Sequence, residues 1–187
     1  HEKLVYISMG PVNNDMLPFY RNCIAALADT DYQVILSVGD LADISALGSR
    51  PDNITVERHV DQIAVLAQAD AFISHCGMNS VNESLYYRVP LILYPQTTEQ
   101  GGVANRVAQL GAGIYLEETG AANRKRTLSA GNRRFEPSPA AIRSAVDRIL
   151  QDDTYRRSAS AISDGFRSCS GAGGAADKIL EVIAGGQ

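Results

Sequence analysis

Much of what would mark a specialised class is missing from this sequence. Its 187 residues hold three cysteines and no tryptophan. Cys23, Cys76 and Cys169 lie far apart, with no Cys-x-x-Cys pair and no metal-ligand cluster. Sparse, odd-numbered thiols fit a reducing compartment and exclude a disulfide scaffold. No apolar run approaches the ~18 residues of a membrane span. Positive charge does not dominate: 17 Lys and Arg face 21 Asp and Glu, a net charge of −4. That balance argues against a protein built on nucleic-acid contacts. No internal repeat or low-complexity stretch occurs. No Gly-x-Gly-x-x-Gly follows the first strand-like run, where Gly10 meets Pro11 at once. A dinucleotide-dependent dehydrogenase is thereby disfavoured.

What is present is ordinary globular material, 45% apolar and 20% charged. A chain of this size buries roughly 70% of its unfolded surface and needs no covalent staples. Strand-like runs at 4–8, 33–38, 54–57, 71–74, 91–94 and 113–116 alternate with helical spacing at 15–28, 61–68, 80–87 and 103–110. Further helices are expected at 140–150 and 176–183, with another between them. The helix at 80–87 must stop before Val89-Pro90, and Gly111 is a natural residue just past a helix end. Alternation of this kind predicts an α/β fold, a doubly wound, parallel, six-stranded Rossmann-like sheet. Ligands of such sheets sit outside the carboxyl ends of the strands. One stretch breaks the rhythm. Residues 119–139 are polar and turn-rich, with Arg124, Lys125, Arg126, Arg133 and Arg134. They read as a long basic loop, either a solvated excursion or a contact surface. The chain opens directly on a core strand, so the expectation is a cytoplasmic piece of a longer protein, without a leader.

The chemistry concentrates in Phe72-Ile-Ser-His-Cys-Gly-Met-Asn-Ser-Val-Asn-Glu83. A strand ends at Ser74, a tight turn holds His75, Cys76 and Gly77, and a helix begins near Asn79 and Ser80, both good N-cap types. The unpaired N–H groups of such a helix start attract anions, and Gly77 permits close approach to the backbone. His75 can donate to a phosphate oxygen. Glu83 stands three residues past Ser80, the spacing of a capping box. Alternatively, it accepts from two adjacent hydroxyls such as a ribose presents. Glu99 and Gln100 follow the fifth strand on the same rim, where a carboxylate and an amide can grip sugar hydroxyls or merely form a helix start.

Residues 71–113, AFISHCGMNSVNESLYYRVPLILYPQTTEQGGVANRVAQLGAG, resemble the donor-binding signature of family 1 UDP-glycosyltransferases. The likeness is greatest to their macrolide-glycosyltransferase-like bacterial branch. The opening VYISMG, the segment RHVDQIAVLAQADAFISH and the closing GGAADKILEVI resemble further parts of the same domain. The resemblance implies that His75 binds the donor diphosphate, with Gly77, Asn79, Ser80 and Gly10 around the phosphates. It implies that Glu83 holds the ribose and that Gln62 lies near it. His59 falls where the family usually stacks a tryptophan or phenylalanine on uracil, and Val60 offers its backbone to the base. Glu99 and Gln100, beside Met78, read the transferred sugar. Three positions depart from the pattern: Asp61 replaces a proline, Pro11 a serine or threonine, and Arg88 a residue that is often glycine.

The resemblance further implies one half of a two-domain GT-B glycosyltransferase. Residues 1–187 would be the nucleotide-sugar domain, while an absent N-terminal domain would hold a small-molecule acceptor and supply the catalytic base. The donor would be a UDP-sugar or dTDP-sugar, with no cofactor and no metal, and transfer would invert the anomeric carbon. The isolated chain would bind donor without catalysing. Two other readings stay open: a donor-binding subunit that requires a separate acceptor-domain polypeptide, and a nucleotide-sugar epimerase.

Overall fold

The structure, a computed structural model, describes residues 2–11, 15–116 and 136–185. Six strands form one sheet: β1 (Lys3–Ser8), β2 (Tyr32–Ser37), β3 (Ile54–Glu57), β4 (Ala71–Ser74), β5 (Leu91–Leu93) and β6 (Gly113–Tyr115). Between and after them run α1 (Leu17–Leu27), α2 (Gln62–Leu66), α3 (Met78–Tyr86), α4 (Thr98–Gln109), α5 (Pro139–Gln151), α6 (Asp153–Ser168) and α7 (Gly171–Gly185). A short 3₁₀ turn, Ile44–Leu47, precedes β3. The strand order is β3-β2-β1-β4-β5-β6, and every neighbouring pair is parallel. The expected doubly wound sheet is thus present. Its direction of winding reverses between β1 and β4, which pair Val5 with Ala71 and Ser8 with Ser74. That reversal opens a crevice at the carboxyl ends of β1 and β4.

Period-2 alternation distributes the strand side chains to the two faces. Val5, Ile7, Ala71, Ile73 and Ile92 join α1 and α5 side chains such as Phe19, Tyr20, Ile142 and Val146. Tyr6, Phe72, Leu91 and Leu93 point the other way, into a core shared with Leu66, Val81, Leu85, Ala104, Val107 and Ala159. Both faces are covered, which is why these strands read as unbroken apolar runs. Burying a side chain the size of Phe72 or Ile73 contributes roughly 1.5–3 kcal/mol. Below the sheet, buried Asp70 accepts from Lys3 Nζ, the Leu4 amide and Arg156, tying the start of β1 to α6.

Several boundaries differ from the expectation. α3 starts at Met78 with Gly77 as its N-cap, ahead of Asn79 and Ser80. α4 starts at Thr98, well before residue 103, because the Thr97 hydroxyl caps the Gln100 amide; the Gly101-Gly102 pair hides this start in the sequence. α7 is longer than expected and buries none of its residues against the sheet. Ile179, Leu180, Val182 and Ile183 are all exposed. The basic residues Arg124, Lys125, Arg126, Arg133 and Arg134 lie outside the described residues. At the far end of that stretch, Ser138 caps α5 through the Ala141 amide.

Two helices end alike. After α4, the Gly111 and Ala112 amides donate back to Ala108 and Val107, and Gly111 has φ +71°. After α3, the Arg88 and Val89 amides donate to Leu85 and Ser84, and Arg88 has φ +62°. Both are left-handed helix stops of the kind glycine serves best. Arg88 occupies one without that freedom.

Candidate functional site

The carboxyl ends of the strands gather most of the predicted site residues along one rim. His75 follows β4, Gly10 follows β1, His59 follows β3, and Gln100 follows β5. The tightest arrangement is around the His75 ring. A Cβ placed on Gly10 would lie 2.7 Å from His75 Cε1 and 2.8 Å from Nε2. A Cβ placed on Gly77 would lie 2.6 Å from Nε2. The imidazole is therefore wedged between two backbones that must both lack side chains. Gly10 also carries φ +74°, whereas Gly77 has an ordinary φ of −61°. The turn from His75 to Gly77 is bent at Cys76, φ +67°, whose amide donates to Ser74 Oγ. A non-glycine residue there is uncommon, and such strain clusters at functional turns.

His75 is half-buried, and burial lowers its pKa below the ordinary histidine value. Its Nδ1 is buried and makes no hydrogen bond of good geometry. The Ser8 backbone lies close enough to offset the lowering in part. The ring is thus neutral near pH 7, and an arriving anion would favour its protonation. Beside it, the Met78, Asn79 and Ser80 amides open α3 with no acceptor among the described residues, as the first N–H groups of a helix do. Their partial positive charge contributes ~0.3–1 kcal/mol toward an anion, and up to ~2 kcal/mol when partly buried. The buried Cys76 thiol is pushed up to about 12, so it offers no thiolate nucleophile.

Farther along the rim, Glu83 does not close a capping box with Ser80, because Ser80 lies inside α3 rather than at its N-cap. Instead Gln62 Nε2 donates to Glu83 Oε2 at 2.6 Å and to Ser80 Oγ at 3.2 Å. Asp61, in the place of a family proline, caps α2 by accepting from the Ala64 amide. His59 Nε2 lies 2.8 Å from Asp40 Oδ1, both exposed; Val60 is half-buried. Glu99 is exposed in the first turn of α4. Gln100 Oε1 accepts from the Gln96 amide at 2.8 Å, leaving its Nε2 as the free end. Met78 is 52% exposed at the start of α3.

Sequence reasoning missed Tyr6 and Asp40, which hold Gln62 and His59 respectively. Tyr6 reads as a core aromatic, and nothing in its spacing marks the hydroxyl. The one Asp-x-Asp sequence, Asp29-Thr30-Asp31, lies just before β2, at the opposite end of the strands from this rim. Among the described residues no three His, Cys, Asp or Glu side chains gather as metal ligands. No described helix is long and apolar enough to cross a membrane. A surface depression of about 640 Å³ along α5, lined by Arg143, Asp147 and Asp152 among others, includes none of the predicted site residues.

A doubly wound parallel sheet with a crevice at its switch point defines a Rossmann-like domain. Residues 21–171 match the family model described as the C-terminal domain of erythromycin biosynthesis protein CIII-like proteins. The chain belongs to that family, which makes it a C-terminal domain of the GT-B glycosyltransferase layout. Among curated proteins it is 32% identical over 182 residues to the uncharacterized UDP-glucosyltransferase YdhE of Bacillus subtilis, covering 97% of this chain and 42% of that protein. It is 47% identical over 113 residues to the NDP-glycosyltransferase YjiC of the same organism, covering 60% of this chain and 29% of that protein. Among solved structures it matches the calicheamicin glycosyltransferase CalG4 with a TM-score of 0.82 at 30% identity, over 97% of this chain and 42% of that one. The chain therefore spans about two fifths of the length of such relatives.

Proposed function

We propose that this chain is the nucleotide-sugar half of an inverting, metal-independent glycosyltransferase that moves a hexose to a hydroxyl of a small-molecule acceptor. The donor is a UDP-sugar or dTDP-sugar. Its diphosphate sits against His75, Gly10, Gly77 and the amides of Asn79 and Ser80. Its ribose hydroxyls reach Glu83 beside Gln62, and its base lies over His59 and along the Val60 backbone. Its sugar extends toward Met78, Glu99 and Gln100. The observation that carries this reading is the imidazole wedged between two glycines beside the open start of α3. A backbone shaped around one ring, with donors converging at a switch point, suits a diphosphate.

In the reaction the acceptor oxygen bonds to the anomeric carbon as the bond to the diphosphate breaks. Negative charge builds on the departing phosphates, and His75 with the α3 amides stabilises it electrostatically. The base that takes the acceptor proton belongs to an N-terminal domain outside this chain. Without that domain no acceptor is positioned, and positioning can supply ~7–11 kcal/mol of the barrier. The chain alone therefore binds donor and does not transfer sugar.

Isothermal titration of UDP and uridine tests the assignment. UDP binding is expected to survive EDTA, and His75→Ala is expected to weaken UDP far more than uridine. Equal losses for both ligands would remove His75 from the diphosphate site.

A further inference from the structure

Tyr6 is 1% exposed, and its ring stacks on Phe72 with centroids 4.6 Å apart. Its hydroxyl nevertheless leaves the core and donates to Gln62 Oε1 at 3.2 Å. The opposite end of the same amide donates to Glu83 Oε2 at 2.6 Å and to Ser80 Oγ at 3.2 Å. The direction of this chain is fixed by chemistry. A flipped Gln62 would set an amide oxygen against a carboxylate oxygen at 2.6 Å, acceptor against acceptor. Glu83 Oε1 has no protein partner among the described residues, so one carboxylate oxygen is anchored while the other faces outward.

We propose that Tyr6 is a positioning residue: through Gln62 it fixes the Glu83 carboxylate to receive a vicinal diol, and so selects ribonucleoside over 2′-deoxyribonucleoside diphosphates. The proposal rests on the reading of Glu83 as the ribose ligand. It deepens that reading by choosing between donor classes, because a dTDP-sugar carries no 2′-hydroxyl. A buried tyrosine suits the task, since its ring is locked by stacking and its hydroxyl cannot swing away. The neighbouring Ser8 and Ser37 hydroxyls also approach the phenol.

The test is calorimetric titration of UDP and 2′-deoxy-UDP into the chain and its variants, each checked by thermal melting. The unaltered chain is expected to prefer UDP. Tyr6→Phe keeps the ring and removes the hydroxyl. It should weaken UDP about fivefold, the worth of one neutral hydrogen bond, and 2′-deoxy-UDP less than twofold. In a Gln62→Ala background, Tyr6→Phe should add nothing further. Equal weakening of both ligands, or an undiminished effect without Gln62, would overturn the relay. If Tyr6→Phe does not fold, Gln62→Ala decides: a preference for UDP retained in that variant overturns the proposal. Glu83→Ala separates the two levels. A preference that survives Glu83→Ala defeats the ribose reading and the relay together. A preference abolished by Glu83→Ala but untouched by Tyr6→Phe defeats the relay alone.

Discussion

Gly77→Ala isolates the closest contact in the site from every other effect. Gly77 has φ −61° and ψ 138°, a conformation open to any residue, so alanine brings no backbone strain there. The added methyl, however, would stand 2.6 Å from His75 Nε2 and 3.2 Å from Cε1. Carbon and nitrogen without a shared proton do not approach so closely, so the ring must turn out of its slot. The fold survives, because the obstacle is the far end of one side chain. The diphosphate loses its charge-assisted partner, worth about 1.5–3 kcal/mol, which converts to roughly 10- to 150-fold in affinity. Titration of UDP should show that loss, while uridine should change less than twofold. The decisive control is a double-mutant cycle with His75→Ala. Once the imidazole is gone, Gly77→Ala has nothing left to displace and should cost UDP binding almost nothing. If it costs as much without the ring as with it, the methyl is acting on the ligand or the amides directly. The wedge would then have no part in holding the diphosphate.

Arg88→Gly should stabilise the chain, since a left-handed φ costs an L-residue about 1–2 kcal/mol. The exposed Arg88–Asp164 pair at 2.9 Å returns at most ~1 kcal/mol, so differential scanning calorimetry should show a rise in Tm. Because burial depresses His75, its neutral form supports the fold fully above about pH 6.5, the unfolded value, and that support is lost as pH falls toward the lowered folded value. Urea unfolding at pH 7.5 and pH 5 should therefore show a smaller pH effect in His75→Asn. In the complex the diphosphate favours the protonated ring, so UDP-glucose should bind more tightly as pH drops from 8 to 6, with proton uptake measurable by calorimetry in buffers of different ionisation enthalpy. Removing residues 171–187 should shift Tm by no more than about 2 °C, because α7 buries none of its side chains on this domain; a large drop would mean that the helix supports the sheet after all.

Particular elements explain which features were legible in the sequence. β3 and β4 match their expected bounds because each is a short run with β-branched or aromatic residues, β3 entered from Pro51-Asp52-Asn53 and β4 set between Asp70 and the turn to Gly77. The glycine stop at Gly111 was equally plain. Its counterpart at Arg88 was not, because arginine gives no sign of the left-handed conformation that the Val89 amide and Pro90 impose. The start of α3 was misplaced for a related reason. Asn79 and Ser80 are favoured caps, yet the cap is Gly77, and the close approach of the His75 ring rather than cap propensity puts glycine there. That approach is a long-range fact, since Gly10 joins it only once β1 and β4 pair. Glu83 had two local explanations; the capping box falls because Ser80 lies inside α3, and the partner Glu83 takes instead, Gln62, lies in a different helix.

The two arms of the site share one root, the central strand β1. The turn that follows it supplies Gly10 to one side of the His75 wedge, and Ser8 at the strand end accepts the Gly10 amide at 3.3 Å through its Oγ. Two residues earlier the strand supplies the Tyr6 hydroxyl that holds Gln62. A β-strand rises about 3.3 Å per residue, so Ser8, under the proposed phosphate site, and Tyr6, under the proposed ribose site, are anchored about 7 Å apart on one rigid element. Successive side chains point to opposite faces, but Tyr6 and Ser8 share a face by period 2. The spacing of the two arms is thereby set by strand geometry up to Ser8 and by the turn that Ser8 Oγ holds at Gly10. A shift of β1 by one residue against β4 would displace Gly10 from His75 and turn Tyr6 away from Gln62 in the same step. Register in this strand pair, set by buried Val5 and Ile7 against Ala71 and Ile73, therefore carries the accuracy of the whole cradle.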